Sequence, residues 1–183
     1  QREFMLGMAR EGRAGSVGDE SRQVAPHALG ALSGTDGTWI QAPPPCTRED
    51  HSAIYDPVRD RMVVFGGYGG GFFFNRLVND VWTLSLSGRP TWTPLIPTGT
   101  PPGARVTRTA ISDPVRDRMV VFGGFDGSRE LNDVWALSLA GAPAWSQLTP
   151  TGTAPGPRGD HSAIYDPVRD RMLVFGGFTP SSL

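Results

Sequence analysis

A chain of 183 residues with a formal charge of −1 is compatible with one domain and offers no electrostatic case for nucleic acid or an anionic membrane surface. Its one cysteine, Cys46, excludes an intrachain disulfide, and no apolar run approaches the length that crosses a bilayer. An apolar content of 38% with 24 Gly and 17 Pro points to an all-β protein of short strands and tight turns; that all 17 cations are Arg reads as a composition bias without functional content.

Residues 1–30 are poorly defined. Phe4 to Met8 suits a short strand, and residues 9–23, rich in Gly, Arg, Glu and Ser, read as loop. Ser21-Arg22-Gln23-Val24 echoes Ser128-Arg129-Glu130-Leu131, and Leu32-Ser33-Gly34 echoes Leu86-Ser87-Gly88. The segment 1–42 therefore reads as a worn copy of a unit that recurs later in the chain, with Pro26-His27 where the better copies have Asp-Val. Gln1 is not an initiator residue, so the expectation is a fragment or a processed product.

From Thr38 the pattern sharpens. Thr38 to Gln41 is a short strand, followed by a Pro-rich bend at 43–45 and a strand from His51 to Asp56. Asp56-Pro57-Val58-Arg59-Asp60-Arg61 is a turn, its Asp placed to accept backbone N–H bonds and its Pro pre-setting φ. Met62-Val63-Val64-Phe65 has the β-branched and aromatic character of a strand buried on both faces, and Gly66-Gly67 is expected to end it. A loop at 68–78 precedes Val81 to Leu86, which alternates with period two. Asn79-Asp80 is expected to cap the entry to that strand. Thr91 to Leu95 comes next, and Pro94 marks it as an edge strand.

The unit then returns. Asp50 to Gly67 reappears at Thr107 to Gly124 and at Asp160 to Gly177. Gly66 and Gly123 are 57 residues apart, Gly123 and Gly176 are 53 apart, and the four-residue difference falls in the loop after Gly-Gly, 68–78 against 125–131. Each unit is four short strands, and the third stops after two.

A strand ending in Gly-Gly, a variable loop, a polar pair before an aromatic-bearing strand and a Trp on the outer strand together resemble the kelch repeat. The matching residues are Gly66-Gly67 with Trp82 and Trp92, and Gly123-Gly124 with Trp135 and Trp145; Gly176-Gly177 matches the first half alone. The Asp-Pro-Val-Arg-Asp-Arg variant resembles large bacterial kelch-containing proteins. The resemblance implies a β-propeller of four-stranded antiparallel blades, with the strand His51–Asp56 innermost along the channel. The propeller region is 31–183, with blades at about 50–95 and 107–149 and a half-blade at 161–178. That is an incomplete propeller of about 2.5–3.5 blades, where closed ones have roughly 4–8. Three resolutions are open: a fragment of a longer propeller, which is favoured; self-association, with the half-blade 161–177 accepting strands 24–42 of another copy; or an open stack.

Candidate chemistry is sparse. The charged residues of the repeated turn read as exposed ion pairs that hold the turn, and the tryptophans as blade-to-blade packing. His51 and His161 share a position with Arg108 near the channel mouth, without the spacing of a metal site. Arg48, Arg105 and Arg158 precede the innermost strands and are candidates to bind a polar ligand, against a plainer role in hydrogen bonding between blades. The Tyr, Cys and His of a galactose-oxidase-like copper propeller are not in the required arrangement, and no cofactor is expected. The copies differ most at Gly69 to Arg76, so Phe72, Phe73, Phe74 and Arg76, with Asp126 and Arg129 in the equivalent loop, are the candidate contact residues. The expected function is a non-catalytic scaffold that binds a protein or a glycan through these loops. The alternative is the propeller domain of a larger secreted or carbohydrate-active enzyme whose catalytic residues lie outside this chain. The compartment stays open, the resemblance leaning to an extracellular or cell-surface setting.

Overall fold

The repeated Asp-Pro-Val-Arg-Asp-Arg closes the first hairpin of every unit, and its chemistry explains why. In the computed structural model, which describes residues 47–69, 76–106 and 109–179, the Asp56 carboxylate accepts the N–H groups of Val58 and Arg59, both at 3.2 Å. Asp60 then takes φ 45°, a left-handed conformation that short polar side chains tolerate. Asp117 and Asp170 repeat it at 47° and 50°. The turn sets β2 (Ser52–Asp56) antiparallel to β3 (Arg61–Gly69), with Asp56 opposite Arg61.

Three copies give three antiparallel sheets. In the first, β1 (Arg48–Glu49) and β2 share one edge of β3, and β4 (Arg76–Ser85) and β5 (Trp92–Leu95) continue it. The second is β6 (Ala110–Asp113), β7 (Arg118–Phe125), β8 (Glu130–Ser138) and β9 (Ala144–Leu148). The third is β10 (Gly159–Asp166) with β11 (Arg171–Phe178), and among the described residues no strand pairs with the other edge of β11. Pro94 lies on β5, which among the described residues pairs with β4 alone, in keeping with its missing N–H. The short strand expected at Thr38–Gln41 and the segment 1–30 lie outside the described residues.

Two sequence expectations need correction. The Gly-Gly pair does not end its strand: β3 runs through it to Gly69, and β7 through Gly123-Gly124 to Phe125, each with a bulge. Asn79-Asp80 and Asn132-Asp133 do not cap a loop, because they sit inside β4 and β8. In the second sheet the loop shrinks accordingly, to 126–129.

The core lies between the first two sheets. Ile54, Val63, Phe65 and Val81 from one side meet Met119, Val121, Leu137, Leu139 and Trp145 from the other. The Phe65 and Trp145 rings stand 4.9 Å apart, tilted by 57°. Burial of each such side chain contributes about 1.5–3 kcal/mol.

The glycines of the pair are needed for space as well as conformation. A Cβ on Gly123, φ 62°, would stand 2.8 Å from both the Arg158 and Leu131 carbonyl oxygens, whereas one on Gly141, φ 60°, would meet nothing within 4 Å. Gly141→Ala should therefore cost about 1–2 kcal/mol of left-handed strain alone. Gly123→Ala should cost about 1–3 kcal/mol more, a gap readable by urea unfolding of the two variants.

Candidate interaction surface

The arginine that precedes each unit joins two sheets. The Arg105 carbonyl accepts the Gly67 N–H at 2.9 Å, and its own N–H reaches the Val78 carbonyl at 3.3 Å, so its backbone belongs to the first sheet. Its guanidinium belongs to the second: it donates to Asp133 in bidentate fashion at 2.6 and 2.9 Å and to the Gly123 carbonyl at 3.0 Å. Asp133 also accepts the Trp135 indole N–H at 2.7 Å. Burial pushes the Asp133 carboxyl up, but the Arg105 and Trp135 donors outweigh it and hold the group below its ordinary range. Arg48 does the same in the first sheet, with Asp80 at 2.6 and 2.8 Å and the Gly66 carbonyl at 2.7 Å. Arg158 keeps the backbone part, with Gly124 at 3.0 Å and Leu131 at 2.9 Å, and the Gly176 carbonyl at 2.9 Å, but has no carboxylate partner among the described residues. The guanidiniums of Arg48 and Arg105 are thus engaged in holding sheets. Their signal was in the spacing: Arg48–Asp80 spans 32 residues and Arg105–Asp133 spans 28, the difference being the same four-residue loop insertion.

A second row of ion pairs runs along the turn side. Arg59 reaches across to Asp117 of the second sheet at 2.9 and 2.7 Å, and Arg116 to Asp170 of the third at 2.8 and 2.6 Å. Within each turn the aspartate is buried rather than exposed, Asp56 at 1% and Asp113 at 2%, each under two arginines of its own turn. The expectation of exposed, turn-local pairs is corrected: the acid is desolvated and the ladder crosses sheets. Arg116 and the Tyr165 hydroxyl lower the Asp170 carboxyl to about 2.

At the second junction His161 is 3% exposed. Its Nε2 pairs with the Thr109 hydroxyl, its ring meets the edge of Phe122 at 5.3 Å, and its Nδ1 is buried with no hydrogen-bond partner. Burial, then the Arg158 charge, push its pKa down, with Asp160 opposing. Arg108, at the same position in the second unit, lies outside the described residues. Among the described residues no three His, Cys, Asp or Glu gather as metal ligands, and no helix is long and apolar enough to cross a membrane.

The second variable loop meets the strand that follows the first. A Cβ on Gly127 would stand 3.1 Å from Leu77 Cδ1, so this loop lies against the start of β4. Arg76 is exposed beside it, at a cleft of about 300 Å³ lined by Arg76 to Asp80. Asp126 folds its own loop, accepting from the Ser128 N–H and hydroxyl at 2.8 and 2.7 Å and from the Arg129 N–H at 2.9 Å. Those donors, the Ser128 hydroxyl first, lower it to about 2. The Arg129 side chain stands 77% exposed. Phe72, Phe73 and Phe74 lie outside the described residues.

A family model described as the KLHDC2/KLHL20/DRC7 Kelch-repeats domain matches residues 35–182. The chain belongs to the kelch-repeat family. Its sheets are antiparallel kelch blades of an incomplete propeller, and the sheet-to-sheet contacts are blade junctions. Relatives include the flagellar outer arm dynein alpha chain of Chlamydomonas reinhardtii, 34% identical over 74% of this chain. The leucine-zipper-like transcriptional regulator 1 homolog of Drosophila melanogaster is 31% identical over 78%, and the serine/threonine-protein phosphatase BSL2 of Arabidopsis thaliana is 35% identical over 62%. The chain spans 3%, 15% and 11% of those three proteins' lengths.

Two measurements probe the blade junctions. Arg105→Ala leaves the half-buried Asp133 without its guanidinium and is expected to cost about 3 kcal/mol in urea unfolding, while Arg158→Ala costs about 1–2 kcal/mol, the worth of hydrogen bonds to carbonyls. His161, with its folded pKa below the ordinary 6.5, contributes stability above that value that is lost as pH falls below it. The wild-type melting temperature should therefore drop between neutral and mildly acidic pH by a step that His161→Asn lacks.

Proposed function

We propose that this kelch chain is a non-catalytic scaffold that binds a protein, or a glycan, through the loops 68–78 and 125–131. The carrying observation is the approach of Gly127 to Leu77, which supports a single surface built from the two loops. To the arginines Arg76 and Arg129 the proposal adds Phe72, Phe73 and Phe74 of the longer loop on the strength of the sequence. Aromatic rings with arginine are the composition that marks protein interfaces. Blade cores are tied on both sides by ion pairs, so the loops are where the copies are free to differ. The blades are taken as 50–95, 107–149 and the half-blade 161–178.

A second reading rests on the relatives. One is named a serine/threonine-protein phosphatase, and the chain spans 11% of it. On that reading the chain is the propeller part of a larger enzyme, with catalytic residues elsewhere. A catalytic module in the full-length gene favours it.

The test replaces Phe72, Phe73 and Phe74 together by Ser. Stability is expected to stay within about 0.5 kcal/mol, while a protein or immobilised glycan retained by the wild-type chain is no longer retained. A melting temperature lower by many degrees would assign the rings to the core and overturn the proposal.

A further inference from the structure

The row of blades has two unlike ends, and equivalent residues measure the difference. Ile54 and Ile111 are 7% and 6% exposed, but their counterpart Ile164 is 61% exposed. Phe65 and Phe122 are at 0% and 3%, and Phe175 is at 83%. Glycine agrees: a Cβ on Gly66 or Gly123 would meet the carbonyl of the next linker arginine at 2.9 or 2.8 Å, and one on Gly176 meets nothing within 4 Å. The trailing face of the third blade is thus shaped as a junction. Among the described residues the leading face of the first blade is open in its turn: Leu86 is 37% exposed where Leu139 is 2%, and Ala53 is exposed where Ala110 packs against the core.

Charge matches the two ends. In the ladder, Arg59 reaches Asp117 and Arg116 reaches Asp170. The next arginine, Arg169, has its side chain 63% exposed and pairs with Asp166 of its own turn. The first aspartate, Asp60, accepts the Tyr55 hydroxyl at 3.0 Å. Asp170 holds the Tyr165 hydroxyl at 2.7 Å and Arg116 at 2.6 Å together, so Tyr55 does not block an arginine at Asp60.

We infer that the trailing face of one copy docks the leading face of a second copy, head to tail. The internal junctions specify the contacts. Arg169 pairs with Asp60 of the second copy. Phe175 meets its Trp92, as Phe65 meets Trp145. The Gly177 N–H donates to its Arg48 carbonyl, as Gly67 donates to Arg105. The three sheets of the described residues, taken twice, make six, within the roughly 4–8 blades of a closed propeller, and two head-to-tail contacts around one axis close a ring.

Light scattering after size exclusion tests this on the 183-residue chain. The expected species is a dimer of twice 19.6 kDa. Phe175→Ser should weaken association about tenfold or more. Asp60→Asn, which keeps the left-handed turn, and Arg169→Gln should each weaken it about two- to fivefold. Their combination should do no more than either alone, because both remove one pair. Far-ultraviolet circular dichroism should stay unchanged in all variants. A monomer, an undefined aggregate, a dimer indifferent to Phe175→Ser, or additive effects of Asp60→Asn and Arg169→Gln would each overturn the inference.

Discussion

The bidentate bond from Arg105 to Asp133 is the contact on which the arrangement of blades depends. The backbone of Arg105 is a member of the first sheet and its guanidinium a member of the second. A linker with this double membership cannot drift without breaking both. The guanidinium is 3% exposed, so its charge is stable there only because two carboxylate oxygens and the Gly123 carbonyl receive it. The glycine pair answers the same demand, since the Arg105 carbonyl lies where a Cβ on Gly66 would stand. One residue thus explains the position of the aspartate, the glycines and the length of the linker.

The turn side repeats the logic with different groups. There the arginine and aspartate of successive turns reach between sheets, and the apolar contact of Phe65 with Trp145 lies between the two ionic rows. Each row is polar and each is partly exposed, so their contribution is modest beside that of the buried rings. What they supply is register. A blade slipped by one residue along its neighbour would separate Arg59 from Asp117 and Arg105 from Asp133 together. With both ends of every sheet committed in this way, the connection between the second and third strands of a blade is free to change length. It does change, by four residues, and the proposed recognition surface lies there.

Much of this was legible in the sequence, for a physical reason. Repetition turns a weak signal into a strong one: a single Asp-Pro-Val-Arg-Asp-Arg is a turn, but three at fixed spacing are a scaffold. The strands around Val63 and Val121, the edge position of Pro94 and the packing role of Trp145 could all be read from residue type. The partners of the charges could not. Asp80 and Asp133 look like capping residues because Asn-Asp usually acts locally, whereas here the aspartate faces an arginine about 30 residues away. Arg59 looked local for the same reason, since its own turn holds an acid, Asp56, that it also touches. Long-range pairing depends on how sheets stack, and stacking angle has no local signature.

The three phenylalanines at equivalent positions carry this point furthest. Phe65, Phe122 and Phe175 sit in nearly the same sequence, on the same strand of the same hairpin, yet they are 0%, 3% and 83% exposed. Intrinsic preference cannot account for the spread, because preference is common to all three. The neighbour accounts for it: the first ring meets Trp145, the second meets His161, and nothing among the described residues covers the third. In a repeat protein an apolar side chain acquires its role from the unit stacked on it, so the same residue is core in one copy and surface in the next. An exposed surface of that origin differs from an ordinary apolar patch. Its shape, its hydrogen-bond donor at Gly177 and its ionic end at Arg169 are already those of a blade junction, which restricts what can cover it to a surface like the one the second blade presents to the first.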